Sequence, residues 1–224
     1  MLWSKAIGAG GAGGGGGVSE FSFVVSDGTT QTPNAIVPST SQAGDLCFIS
    51  SIGVSAGAPI TPTGWTQIYR IDGGLFSSRG VYKVLAPEDI GTNVTVSSDQ
   101  STLYNASISL VFRGIPQLSS VYISSLTSQG EVNLTTSAAL DTSVYSAPNI
   151  LIATKSDFNK SYSSYSSAIS GSFWTGGVVK NSPLMGLACC YEIQNLSNID
   201  RTAAPANPSN SAYQHMHSFV TNAA

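Results

Sequence analysis

Charge is sparse in this sequence: 9 Lys and Arg and 12 Asp and Glu among 224 residues give a formal net charge of −3. No basic face is available to meet nucleic acid or an anionic membrane, so neither is expected as a partner. Cysteine is equally scarce. Three residues, Cys47 and the neighbours Cys189 and Cys190, cannot build a disulfide framework, and adjacent strand positions point to opposite faces. They read as small buried hydrophobes in a chain made in a reducing cytoplasm. There are 2 histidines, no Gly-x-Ser-x-Gly elbow and no zinc-type cysteine spacing. The acidic residues are scattered, with Asp27, Asp72 and Asp99 in turn contexts. An enzyme and a cofactor are therefore not expected. No stretch approaches the roughly 18 apolar residues of a membrane helix, and no continuous apolar segment of the secretory kind precedes the glycines.

What is present is apolar residues at 42% and a polar complement of Ser, Thr, Asn and Gln, which hydrate the outer face of a strand without long flexible stems. Short runs with period-two alternation recur between turn signals, and no window sustains helical spacing. "EFSFVVSDG", "DLCFISSIG", "GWTQIYR", "RGVYKVL", "NVTVSS" and "ASISLVFRG" read as strands. The last places Ala106, Ile108, Leu110 and Phe112 on one side. "PNAIVPSTSQAGD" reads as loop, because Pro33 and Pro38 forbid a central strand. Further on, "VNLTTS", "PNILIATKS", "SFWTGGVVK", "LMGLACCYEI" and "AYQHMHSFV" complete an all-β, two-sheet, jelly-roll-like sandwich of about ten strands over residues 19–224.

The chain also repeats itself in pattern. "AGDLCFISSIG" matches "APNILIATKSD", "TGWTQIYR" matches "GSFWTGGVVK", "RGVYKVL" matches "GLACCYEIQ", and "NASISLVFRG" matches "NSAYQHMHSFV", in the same order. Two similar halves, about 43–115 and 147–221, are expected to intercalate their strands into facing sheets.

The segment "GDLCFIS...TPTGWTQIY...GVYKVLAPED...VTVSS...NASISLVFRGI" resembles a module common in tailed-phage and prophage virion genes. In that module a Gly-Asp-Leu strand precedes Pro-x-Gly-Trp, a Tyr-Lys-Val strand and an alternating strand ending Phe-Arg-Gly. The resemblance covers roughly residues 43 to 115. It implies a non-catalytic virion β-sandwich of tail-fibre or head-decoration type, located in the virion. It carries over no catalytic residue, and gives Gly44, Asp45, Gly64 and Trp65 roles in turns and packing.

Residues 1–18 are expected to form a separate arm. "GAGGAG", Gly8 to Gly13, satisfies the dinucleotide fingerprint by letters, but a strand and not a helix follows it. Either the run is a flexible linker, or it packs closely because glycine lets backbones approach. The second reading is adopted: an assembly anchor built from Leu2, Trp3, Ile7, Gly8, Gly10, Gly11 and Gly13, gripping other virion proteins or a symmetry axis. A homo-oligomer, by preference a trimer, is expected. In such a trimer "HMH" would offer His215 and His217 from each copy to an axial metal, whereas the plainer reading, an ordinary strand face of Tyr213, His215, His217 and Phe219, calls for no metal.

"DFNKSYSSYSSAISGSFWTGG", Asp157 to Gly177, interleaves Tyr162, Tyr165, Phe173 and Trp174 with Ser and Gly, a mixture that suits contact with a receptor or host-surface glycan. The alternative is a long hairpin capping the sandwich, with Trp174 a core counterpart of Trp65. Three functions stand at this level: a tail-associated phage protein contacting the host, a capsid decoration protein, and a carbohydrate-binding module. The tyrosine-serine loop favours the first.

Overall fold

The computed structural model of the chain describes residues 22–30, 34–54, 60–72, 76–96, 105–114, 118–126, 138–140, 149–158, 161–172, 174–194, 201–203 and 212–221. The elements are strands, in chain order β1 (Ser22–Thr30), β2 (Asn34–Ile36), β3 (Leu46–Val54), β4 (Thr66–Asp72), β5 (Phe76–Val84), β6 (Asn93–Thr95), β7 (Ala106–Arg113), β8 (Leu118–Leu126), β9 (Ala138–Leu140), β10 (Asn149–Phe158), β11 (Gly176–Asn181), β12 (Met185–Gln194), β13 (Arg201–Ala203) and β14 (Ala212–Thr221). Two 3-10 turns, Pro87–Asp89 and Tyr165–Ser167, join them. No helix among the described residues is long and apolar enough to cross a membrane.

The all-β sandwich expected from the alternating runs is what forms. Its two main sheets run β1-β7-β3-β5-β4 and β11-β12-β10-β14-β8, and two small sheets pair β2 with β6 and β9 with β13. All pairings are antiparallel. Counting seven strands onward turns one half into the other. β4-β5-β3-β7-β1 maps to β11-β12-β10-β14-β8, and the pair β2/β6 maps to β9/β13. The repeat read from four pairs of segments thus extends to seven, adding β1, β2 and β6 to the first half and β8, β9 and β13 to the second. The short strand β2 lies in the stretch read as loop between Pro33 and Pro38. "VNLTTS" falls outside the described residues.

The halves do not intercalate. Each main sheet is drawn from one half, because the nested pairings β1 with β7, β2 with β6 and β3 with β5 are all satisfied locally. The two sheets then face one another: β7 and β3 contact β12, β1 lies against β11, and β4 lies against β8. Exchange of equivalent strands across the contact is the pattern of a two-fold interface, here within one chain.

Three apolar layers result. Between the sheets, Leu46, Phe48, Ile52, Ile108, Leu110 and Phe112 of the first half meet Ile150, Ile152, Met185, Leu187 and Tyr191 of the second. Outside the first sheet, Cys47, Ile49, Val81 and Val111 pack against Ala35, Val37, Trp65, Leu85, Val94 and Val96. Outside the second, Leu151, Ala153, Ala188 and Cys190 pack against Tyr162, Ala168, Ile169 and Trp174. The central strands are therefore buried on both faces, which explains runs such as "LCFI" and "ILIA" where a half-buried strand would alternate. Each fully buried Leu, Ile or Phe contributes about 1.5–3 kcal/mol.

The small polar residues are only in part solvent-facing. Ser50, Ser51, Ser77, Ser78, Ser107, Ser109, Thr154 and Ser156 are buried. Four hydroxyls gather between the sheets. Tyr69 lies 2.8 Å from Ser50 Oγ, 3.5 Å from Ser78 Oγ, and accepts from Thr154 Oγ1 at 3.5 Å. A bulge between Gln67 and Tyr69 brings this ring over Gly80, where a Cβ would overlap it. Burial pushes the Tyr69 pKa to about 12, against the opposing pull of the three hydroxyls.

Candidate functional site

The residues that carry the phage-module resemblance form a brace. Asp45 opens β3 and is almost wholly buried. Its carboxylate accepts from Gln42 N at 2.7 Å and takes the Arg113 guanidinium at the end of β7 as a fork, Nε at 3.0 Å on Oδ1 and Nη2 at 3.0 Å on Oδ2. Arg113 Nη2 also donates to Thr40 O at 3.2 Å. Gly44 precedes Asp45 with φ +89°, a left-handed conformation that L side chains rarely adopt. Trp65 follows the Pro62 turn, in which Gly64 has φ +79°, and plugs the outer core of the first half.

A second polar node follows. Lys83 Nζ donates to Asp89 Oδ1 at 2.7 Å, and Ala86 N donates to Asp89 Oδ2 at 2.8 Å, closing the Pro87–Asp89 turn. Burial raises the Asp89 pKa, but the two hydrogen bonds and the Lys83 charge outweigh it and hold the carboxyl below its ordinary value.

The aromatic loop is a lid on the second outer core. Tyr162 is 4% exposed and Trp174 8%, which corrects the expectation that they present stacking faces to a glycan. The physical reason is the apolar outer face of β10 and β12, which Leu151, Ala153, Ala188 and Cys190 would otherwise leave in water. Tyr162 N donates to Asn181 Oδ1 and Asn181 Nδ2 donates to Tyr162 O, both at 2.9 Å, while Trp174 Nε1 donates to Ser170 O at 3.1 Å. Tyr165 is half-buried and lies over Gly177, where a Cβ would meet its ring. Trp174 is thus the core counterpart of Trp65. Phe173 lies outside the described residues.

Beneath the lid, Lys155 and Asp157 are fully buried 3.5 Å apart, and the Lys155 ammonium sits 5.4 Å from the centre of the Tyr162 ring. This interior ion pair left no signal that sequence reading could separate from a surface strand.

His215 pairs in register with Thr154 and Ser125, and His217 with Ile152 and Ile123. Their side chains, like the arm residues Leu2, Trp3, Ile7, Gly8, Gly10, Gly11 and Gly13, lie outside the described residues. Among the described residues no three His, Cys, Asp or Glu side chains gather as for a metal. Cys47, Cys189 and Cys190 are free, buried thiols, and burial pushes the pKa of each upward, the opposite of what a nucleophile needs.

Sequence reading did not find the groove beside Trp65. About 400 Å³ in volume, it runs between the Ile60–Trp65 turn and the Asp89 to Thr95 segment. Its walls carry Thr61, Thr63, Thr92, Asn93 and Thr95, and its apolar side is Ile60, Pro62, Trp65 and Val94. The backbone bond from Ile60 N to Val96 O, 2.9 Å, holds the two walls together. "TPTGW" and "TNVT" are the available signal, a Thr-rich turn and a Thr-rich strand whose adjacency only the fold reveals. Compared with known protein families, curated proteins and solved structures, the chain matches none.

Proposed function

We propose that the chain is a non-enzymatic structural protein of a phage virion. In this reading it is tail-associated, held to other virion proteins through the arm of residues 1–18, assembled as a homo-oligomer, and in contact with the host surface. The observation that carries the reading is the Asp45–Arg113 fork. The Gly-Asp-Leu and Phe-Arg-Gly motifs that resemble the virion module meet in one part-buried brace, so these motif residues serve a rigid frame.

Host contact rests on the groove beside Trp65, because the lid aromatics Tyr162 and Trp174 face the interior. A hydroxyl-rich recess on a braced sandwich suits recognition of a surface polymer, and a rigid mount loses little ordering entropy on binding. Immunogold labelling of intact particles tests the assignment. Tail label supports it, and label on the head alone makes the chain a decoration protein.

A further inference from the structure

Resting on the tail-contact reading, we propose that the groove between the Ile60–Trp65 turn and Asp89–Thr95 binds an uncharged saccharide of the host surface. Three features of the walls point to that ligand class.

The first is a set of available polar groups. Thr63, Asn93 and Thr95 are exposed, line the groove, and their side chains make no hydrogen bond with other described residues. Asn93 and Thr95 stand two apart on β6 and flank the buried Val94, so both project from the outer side of that strand. A hydroxyl and a carboxamide both donate and accept, which is what the hydroxyls of a sugar require.

The second is the apolar part of the lining. Trp65 and Val94 belong to the outer core of the first half, and the little surface they leave uncovered is part of the groove's lining, beside Ile60 and Pro62. Sugar rings combine C–H faces with hydroxyl rims, and a lining that mixes a small apolar area with hydroxyl and carboxamide groups complements both.

The third is electrostatic. Among the described residues the sole ionisable group lining the groove is Asp89, and both its carboxylate oxygens are engaged, by Lys83 Nζ and by Ala86 N. Among the described residues no Lys or Arg lines the groove, and the two cations bonded to its wall are engaged there, Lys83 with Asp89 and Arg79 with Thr61, so a phosphorylated or carboxylated glycan meets no cation in the groove itself. A volume of about 400 Å³ lies within the roughly 300–1,000 Å³ range of small-molecule sites. The walls are also set in advance. The Pro62–Trp65 turn is closed by its backbone bond at 3.1 Å, and Thr92 Oγ1 donates to Asp89 O at 2.6 Å.

The test uses the full chain, fluorescently labelled, on an array of neutral and anionic oligosaccharides, followed by titration with the best-bound neutral oligosaccharide. The expected result is binding to neutral glycans, weakened at least tenfold by Asn93→Ala and by Thr63→Val and unchanged by Ser161→Ala on the opposite half. Thr95→Trp, which fills the groove, should abolish binding while the circular dichroism spectrum stays that of the parent. Absence of binding to every neutral glycan, preference for anionic ones, or indifference to all three groove variants overturns the assignment. Such a failure with the chain still located at the tail rejects the saccharide and keeps the tail reading. Binding by a chain located on the head rejects the tail reading and keeps the saccharide.

Discussion

Thr154 donates to the Tyr69 hydroxyl at 3.5 Å, joining two halves of the chain 85 positions apart. Ser50, which the repeat makes the counterpart of Thr154, reaches the same hydroxyl at 2.8 Å. Each sits at the same register position of its central strand, opposite Gly80 and Cys189 respectively. One tyrosine of the first half therefore occupies the shared interior of both, and the second half has Val178 at the equivalent place in β11.

Tyr69→Phe keeps the ring over Gly80 and leaves the hydroxyls of Ser50 and Thr154 without their shared partner. The expected cost is about 1–3 kcal/mol of unfolding free energy, measured by chemical denaturation. Because the Thr154 bond spans the sheet-to-sheet contact, both halves should still unfold in one transition with a lower midpoint. A loss confined to the first half, seen as a second transition, contradicts the shared core.

The Asp45–Arg113 fork makes a sharper demand on chemistry. The Asp45 side chain is 3% exposed and the Arg113 side chain 37%. Arg113→Ala strands a buried carboxylate, for an expected loss of about 1–3 kcal/mol at this half-open site. Arg113→Lys keeps the charge but loses the two-pronged geometry, and should recover less than half of that. Equal stability of the Lys variant and the parent contradicts a role for the fork.

The strand pattern and the repeat were legible because both are periodic, and "AGDLCFISSIG" and "APNILIATKSD" carry the same alternation of inner and outer residues. What was not legible was the third dimension. Tyr162 and Trp174 have the composition of a contact loop, and only the apolar outer face of β10 and β12 explains why they turn inward. Ser50 and Thr154 look like surface strand residues until Tyr69 is set between them. The groove escaped for the same reason: the Pro62 turn and β6 are separated in sequence by β4 and β5 and meet only after β6 pairs with β2.

Asp89 gives a pH signature. Its folded pKa lies below the unfolded carboxylate value of about 4, so its contribution is present above that value and is lost as pH falls through the folded one. Denaturation midpoints taken from about pH 6 down to about pH 3 should fall more steeply for the parent than for Asp89→Asn. Parallel curves contradict the Lys83–Asp89 contribution.

The most direct measurement of the account's central claim is immunogold electron microscopy of intact phage particles induced from the strain that encodes the chain. The account predicts gold at the tail, at a fixed position from one particle to the next. Gold distributed over the head contradicts the tail assignment, and particles without gold contradict the virion role itself.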